Sequence, residues 1–221
     1  MSSFVGCVTV RLNSKRIPLK NIKKIGGKTL VSRAISTLNN VKKLNDIYLY
    51  SSSTKIKEYI EKDLNYIFLK RPKYLDDDDI TFKELLLEFV KEVQAEYIVL
   101  LNCTSPFIKP YIIDDMIKKI ECGEIYDSAF AVTEIKNYCW YNKKPLNFNI
   151  DNVPKTQDLQ PILVETSSLY IINVDYFKQT GRRIGKKPYV KIVNYVDGWD
   201  IDTEDDLYIA KILNSVKKED V

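Results

Sequence analysis

Two groups of residues in this 221-residue sequence have types and spacings suited to chemistry. Near the start, VRLNSKRIPLKN (Val10 to Asn21) crowds Arg11, Lys15, Arg16 and Lys20 into one loop, directly after the apolar run FVGCVTV. Arg11, Lys15 and Lys20, with Ser14 and backbone amides, can wrap a triphosphate, because charge-assisted hydrogen bonds stabilise phosphate oxygens. The spacing is neither GxxxxGK[ST] nor GxGxxG, so this is not a P-loop, and dinucleotide binding is poorly supported. A solvated charged loop is the plainer alternative. Near the other end, GWDIDTEDDL places Asp200 and Asp202 two residues apart. Alternate residues of an extended segment point the same way, so both carboxylates can face one Mg²⁺. Such a metal bridges phosphate oxygens and neutralises charge developing in phosphoryl or nucleotidyl transfer. Alternatively, Asp202 or Thr203 starts the last helix, with the acids at 204–206 complementing its N-terminus.

Composition removes other chemistries. The chain has no histidine, which excludes a histidine base, a Ser-His-Asp triad and a histidine-ligated metal within it. Any metal must therefore sit among oxygen ligands, as Mg²⁺ does. Cys7, Cys103, Cys122 and Cys139 are scattered, without a C-x-x-C pair, and read as reduced thiols rather than disulfides or a zinc site. A net charge of +4 with no long basic stripe argues against nucleic acid and leaves a small anionic ligand open. No run is long and apolar enough to span a bilayer and no signal peptide is evident, so no membrane partner and a cytoplasmic protein are expected.

The elements that must hold these residues alternate along the chain. Strands are expected at 4–10, 46–52, 65–71, 97–103, 128–135, 164–174 and 188–196. Helices are expected at 29–41, 53–63, 81–94, 110–121, near 175–180 and at 203–217, on i, i+3, i+4 stripes such as Phe82, Leu85, Leu86, Phe89, Val90 and Val93. This alternation implies an α/β fold: a Rossmann-like, mostly parallel sheet with helices on both faces, joined by right-handed crossovers. Residues 1–221 read as one domain, into which a non-periodic segment, 136–162, is inserted as a functional loop or arm. The acidic run 76–79 reads mostly as solvated and as the start of a helix. The tail KKEDV is expected to fray.

Ligands of open α/β sheets bind beyond the carboxyl ends of the strands. Four polar stretches fall there: the cationic loop, RPKYLDDDDIT (71–81), LNCTSPF (101–107) and GWDIDTEDDL (198–207). In that order, VRLNSKRIPLKNIKKIGGKTL, RPKYLDDDDIT, LLNCTSPF and WDIDTEDDL resemble the motifs of the acylneuraminate cytidylyltransferase family. Its members usually read A-R-x-G-S-K-G-I-P-x-K-N at the first and D-I-D-x-x-x-D-L at the last. The resemblance implies a nucleotidyltransferase fold with a dimerisation arm. The implied reaction is Mg²⁺-dependent transfer of CMP from CTP to a 2-keto-3-deoxy sugar acid, a nonulosonic or Kdo-like acceptor. Pyrophosphate would be released, in the service of surface-glycan biosynthesis.

Carried over residue by residue, the resemblance implies that Arg11, Ser14, Lys15 and Lys20 contact the CTP phosphates. Asn21, Arg71, Asp78 and Thr81 match positions around the nucleoside. Asp200 and Asp202 match the metal pair, and with Lys20 they are the catalytic candidates. Asn102 stands where the family has Gln beside the sugar, and Gln157 and Asp158 match a Q-D-L stretch near the acceptor. Without histidine, the proton of the attacking hydroxyl must go to a carboxylate of the pair or to metal-bound water. The departures gather on the acceptor side. The usual N-G-A-[IL]-Y is replaced by ETSSLY, which puts Glu165 where it would repel an acidic acceptor unless a cation intervenes. A second cationic stretch, with Lys178, Arg182, Arg183, Lys186 and Lys187, is either solvated or helps to hold an anionic acceptor. The segment 136–162 matches an arm that pairs two subunits, so a homodimer is expected, with YCWYN as aromatic anchors. The alternatives are a glycosyltransferase using a nucleotide-sugar donor, a cytidylyltransferase for a different, possibly phosphorylated, acceptor, and a non-catalytic binding protein.

Overall fold

A computed structural model describes residues 3–122 and 125–216. Eleven strands and five helices follow in chain order among these residues. They are β1 (Phe4–Val10), β2 (Lys24–Ile25), β3 (Lys28–Thr29), α1 (Leu30–Asn39), β4 (Ile47–Ser51), β5 (Ile67–Lys70), α2 (Phe82–Glu92), β6 (Tyr97–Leu101) and α3 (Pro110–Glu121). After these come β7 (Ser128–Ile135), β8 (Trp140–Tyr141), β9 (Lys144–Pro145), β10 (Ile162–Asn173), α4 (Val174–Thr180), β11 (Pro188–Ile192) and α5 (Glu204–Val216). Seven strands form one sheet in the order β11-β7-β10-β6-β1-β4-β5. All of its pairings are parallel except those of β10, which runs antiparallel to β6 and β7.

Side chains alternate across the strands and divide the interior into two layers. Phe4, Val8 and Val10 of β1 and Val99 and Leu101 of β6 face α1, α3 and α5, through residues such as Ile35, Ile113 and Leu207. Val5 and Cys7 of β1 and Ile98 and Leu100 of β6 face α2 and α4, through Phe89 and Phe177. Both faces of the sheet are thus covered, as the apolar runs require. No helix among the described residues is long and apolar enough to cross a membrane.

The departures from the expected elements have local causes. The helix expected at 53–63 is a short 3-10 segment, Thr54–Tyr59, with no side-chain cap at Ser53. Its apolar anchors are only Ile56 and Ile60, and the Tyr59 carbonyl is drawn away by the Thr29 hydroxyl at 2.6 Å. The acidic run starts no helix. Asp76 closes a 3-10 turn, and α2 begins at Phe82, where Thr81 and Glu84 form a reciprocal capping box. Within 136–162, β8 and β9 form a two-residue-per-strand hairpin, too short for periodicity to register. Its turn uses Asn142 and Lys143 at φ +48° and +63°, without the glycine that usually marks such a turn. KKEDV lies outside the described residues.

Thr29 is buried and does two jobs. Its hydroxyl oxygen accepts from Ser32 N at 3.1 Å, capping α1, and the same hydroxyl donates to Tyr59 O. Thr29→Ala is expected to cost about 1–2 kcal/mol, and Thr29→Ser well under half of that. Urea unfolding of the two variants checks both values.

Candidate active site

Beyond β1, the chain turns at Leu19, held at φ +57°, into a single 3-10 turn, Lys20–Ile22. This sharp return folds the cationic loop back over the carboxyl end of the sheet. There it lines a pocket of about 500 Å³ with Arg71, Asp77, Asp78, Thr81, Phe82, Asn102, Cys103 and Thr104. The pocket lies where the sheet order reverses, with β4 on one side of β1 and β6 on the other.

Two carboxylates hold the loop's four cations. Asp78 takes Lys15 Nζ at 2.5 Å and Arg11 Nη1 at 3.2 Å. The hydrogen bond from Lys15 is the chief reason its carboxyl titrates below the usual range. Asp202 Oδ1 takes Arg16 Nη2 at 2.9 Å and Lys20 Nζ at 3.2 Å. Lys20, the least exposed of the four, also donates to the Ile201 carbonyl at 2.8 Å. Asn21 pins the loop from inside. Its amide donates to Arg11 O at 2.9 Å, while its Oδ1 accepts from the buried Cys103 thiol at 3.2 Å. Burial pushes that thiol up to about 12, so it stays a protonated donor.

The last acidic motif divides its work between residues. Thr203 and Asp206 form the capping box of α5, with Asp206 accepting from the backbone amides of Asp202 and Thr203. Asp202 is thereby freed from capping. Ile201 is fully buried between Asp200 and Asp202, whose carboxylates lie close enough for their like charges to interact. Asp200 accepts from Ser105 Oγ at 3.4 Å. Burial raises its pKa, and the like charge of Asp202 adds to the effect. No cluster of three or more potential metal ligands occurs among the described residues. A pair of carboxylates nevertheless fits Mg²⁺, which takes one or two carboxylates and completes its shell with water and substrate phosphates.

A sequence profile described as cytidylyltransferase matches residues 5–191, most of the chain. The chain belongs to the cytidylyltransferase family. It is 25% identical over 194 residues to an N-acylneuraminate cytidylyltransferase A of Danio rerio, covering 84% of this chain and 45% of that protein. It is 24% identical over 236 residues to a CMP-N,N'-diacetyllegionaminic acid synthase of Campylobacter jejuni, covering 98% and 97%. The chain thus spans about half the length of the fish relatives it matches. In fold it resembles a CMP:2-keto-3-deoxy-manno-octonic acid synthetase solved with CTP. The TM-score is 0.72 at 13% identity, over 98% of this chain and 100% of that one.

In this member of the family, the residues expected on the nucleotide side are brought together: Arg11, Ser14, Lys15, Lys20, Asn21, Arg71, Asp78 and Thr81 line one pocket. Asp200 and Asp202 stand at its edge, joined to it by Lys20, Arg16 and Thr104, whose carbonyl accepts from Ile201 N at 2.9 Å. On the acceptor side only Asn102 is a lining residue. Its amide donates to Ser167 O at 2.6 Å. Gln157 and Asp158 are exposed in a 3-10 turn of the arm, and Glu165 lies on β10 outside the lining.

Asp76 is the residue that sequence reasoning missed. It was grouped with a solvated run, yet its carboxylate pairs with the buried guanidinium of Arg71 and accepts from Ser52 Oγ at 2.5 Å. The missing signal was the five-residue separation of Arg71 and Asp76 across a turn. Arg71 Nη2 also donates to Val10 O at 3.3 Å, so the guanidinium ties the end of β1 to the 71–81 loop, while its Nε has no hydrogen-bond partner among the described residues. Asp76→Ala should leave a buried cation uncompensated and cost about 3–5 kcal/mol. A midpoint in guanidinium unfolding within about 1 kcal/mol of wild type would contradict this.

Proposed function

We propose that the chain is a Mg²⁺-dependent cytidylyltransferase that transfers CMP from CTP to a sugar acid, releases pyrophosphate and serves surface-glycan biosynthesis. The observation that carries this reading is the convergence of Arg11, Lys15, Arg16 and Lys20 on one pocket at the sheet's switch point, with Asp200 and Asp202 at its edge. Four cations are too many for a neutral ligand and match a triphosphate. The activities for which the relatives are named point the same way, and the legionaminic acid synthase corresponds over almost its whole length.

In this reading Lys20 is the central charge. Its two oxygen contacts, the Ile201 carbonyl and Asp202, aim the ammonium at the pocket before substrate arrives. Arg11, Lys15 and Arg16 exchange carboxylate partners for phosphate oxygens. An acceptor hydroxyl attacks the α-phosphorus and passes its proton to a carboxylate of the Asp200–Asp202 pair or to water. The bond to the bridging oxygen breaks, and pyrophosphate leaves with its charge held by these cations. Mg²⁺, when bound by Asp200 and Asp202, supplies further neutralisation of phosphate oxygens. We also read the enzyme as cytoplasmic, a reading that its four unpaired cysteines support.

The arm supports a homodimer. Tyr138, Trp140, Tyr141, Leu146, Ile150 and Val153 are all exposed on it. The arm is nevertheless internally tied, with Phe148 edge-on to Tyr138 and Trp140, and Tyr138 OH donating to Pro154 O at 2.7 Å. A preorganised apolar surface of this kind suits a second copy of the chain. Sedimentation velocity should show a dimer, and Trp140→Glu with Tyr141→Glu should give a monomer that still binds CTP.

Pyrophosphate release is expected only when CTP, Mg²⁺ and an acceptor are all present. Lys20→Met should lower kcat by about 10²–10³. Asp202→Asn should raise the Mg²⁺ concentration needed for half-maximal rate. Turnover with ATP and none with CTP would overturn the base assignment. Hydrolysis of a nucleotide-sugar donor without CTP turnover would favour a glycosyltransferase.

A further inference from the structure

Glu165 sits on β10 opposite Val132, in the stretch that differs most from the family's usual motif. Its charge is already matched. Oε1 accepts from the Tyr170 hydroxyl and from Arg183 Nη2, the latter at 2.5 Å. The Arg183 guanidinium lies 4.4 Å from the centre of the Tyr170 ring and 5.8 Å from that of Phe82. Phe82 lines the nucleotide pocket, and so does Asn102, whose amide holds Ser167 in the same β10 segment. The cluster therefore borders the pocket on its β10 and α2 side.

The local charge there is positive. Lys83 crosses over Gly181, so closely that a Cβ at that position would come within 2.7 Å of its ammonium, and Arg182 follows in sequence. Neither Lys83 nor Arg182 forms an ion pair among the described residues. Lys83 and Arg182 thus add positive charge to the segment that carries Arg183, whose guanidinium alone pairs with Glu165. The Arg183 side chain is 37% exposed and gives one of its five N–H donors to Glu165. Aromatic contacts on Tyr170 and Phe82 hold the plane of the fork, so the remaining donors are preorganised for a planar or tetrahedral oxyanion.

We propose that Arg183 is the specificity-determining residue for the acceptor. It receives an oxyanion of that substrate, a carboxylate or a phosphate, while Glu165 and Tyr170 act as positioning residues that hold the guanidinium toward the pocket. Glu165 is then the tether of the anion-binding group and not a repulsive wall. The proposal rests on the cytidylyl-transfer reading above.

The test begins with wild-type enzyme, CTP and Mg²⁺, with pyrophosphate release followed over three acceptor sets: sugar acids, sugar phosphates, and neutral sugars and alditols. Turnover of an acid or of a phosphate supports the proposal, and the set that responds identifies the oxyanion. Turnover of neutral acceptors alone overturns it and leaves cytidylyl transfer standing. Silence of all three sets beside clear CTP binding sinks the acceptor reading and this proposal together. With the working acceptor, Arg183→Gln should raise the acceptor KM about tenfold or more and leave the CTP KM within about twofold. Arg183→Lys, which keeps the charge and loses the fork, should fall between. Glu165→Gln should raise the acceptor KM by a smaller factor without changing the KM for CTP. An unchanged acceptor KM in Arg183→Gln, or a parallel rise in both KM values, overturns the assignment. Thermal melting of Arg183→Lys guards against a mere folding defect, because that variant retains the partner for Glu165.

Discussion

Four cations on one short loop repel each other, and the site exists only because two carboxylates from elsewhere in the chain compensate them. At about 4 Å an unscreened pair of unit charges is worth roughly 1 kcal/mol in water and about 4 kcal/mol at an effective dielectric of 20. An empty loop would therefore splay into solvent. Asp78 bridges Arg11 and Lys15, and Asp202 bridges Arg16 and Lys20. One carboxylate arrives from the loop after β5 and the other from the segment before α5. The same contacts that quiet the repulsion gather three distant parts of the chain around one pocket. The geometry needed for a polyphosphate is then present before any phosphate is.

The sheet makes that gathering possible. Because β4 and β6 flank β1 and carry the chain away in opposite directions, the loops beyond β1, β5 and β6 meet over a crevice instead of stacking in a row. β10 alone runs antiparallel. It brings its N-terminal half to the same end of the sheet as the carboxyl ends of β6 and β7, so Ser167 and Ser168 can take the Asn102 amide groups. Between the Glu165–Val132 and Tyr170–Phe130 pairs, four β10 residues face a single β7 residue. Ser167 adopts φ +55° there, and Thr166 covers the gap by donating to Ala131 O at 3.1 Å. The bulge puts Glu165 and Tyr170 within hydrogen-bonding reach across an interruption that a regular strand would not permit.

How much of this was legible in the sequence depended on whether the determining interaction was local. The buried strands and the stripes of α2 and α3 were readable because one face of each meets the core, and apolar spacing records that directly. The cationic loop and Asp200-Ile201-Asp202 were readable because their charges lie close together in the chain. Asp76 was not, since its partner, a buried guanidinium, is supplied only by folding. The second cationic stretch was readable as a group, but its pairing of Arg183 with Glu165 and Tyr170 was not. The hairpin at Trp140–Pro145 escaped for a different reason. Asn142 and Lys143 take positive φ without glycine, so the turn carries no strong compositional mark.

The two sides of the site are built with different rigidity, which bears on how one scaffold can serve different acceptors. On the nucleotide side, the ion pairs to Asp78 and Asp202 are joined by contacts that end on backbone: Lys20 on Ile201 O, Asn21 on Arg11 O, Arg71 on Val10 O, Arg11 on Asp76 O. Backbone carbonyls cannot be exchanged by substitution, so these four contacts have their geometry dictated by the course of the chain. On the acceptor side, the Glu165, Tyr170 and Arg183 contacts run from side chain to side chain. A few substitutions there can rebuild the recognition surface without disturbing a single ladder bond. On the proposed reading, the nucleotide side is the part anchored to the backbone, and acceptor choice is the property left free to change.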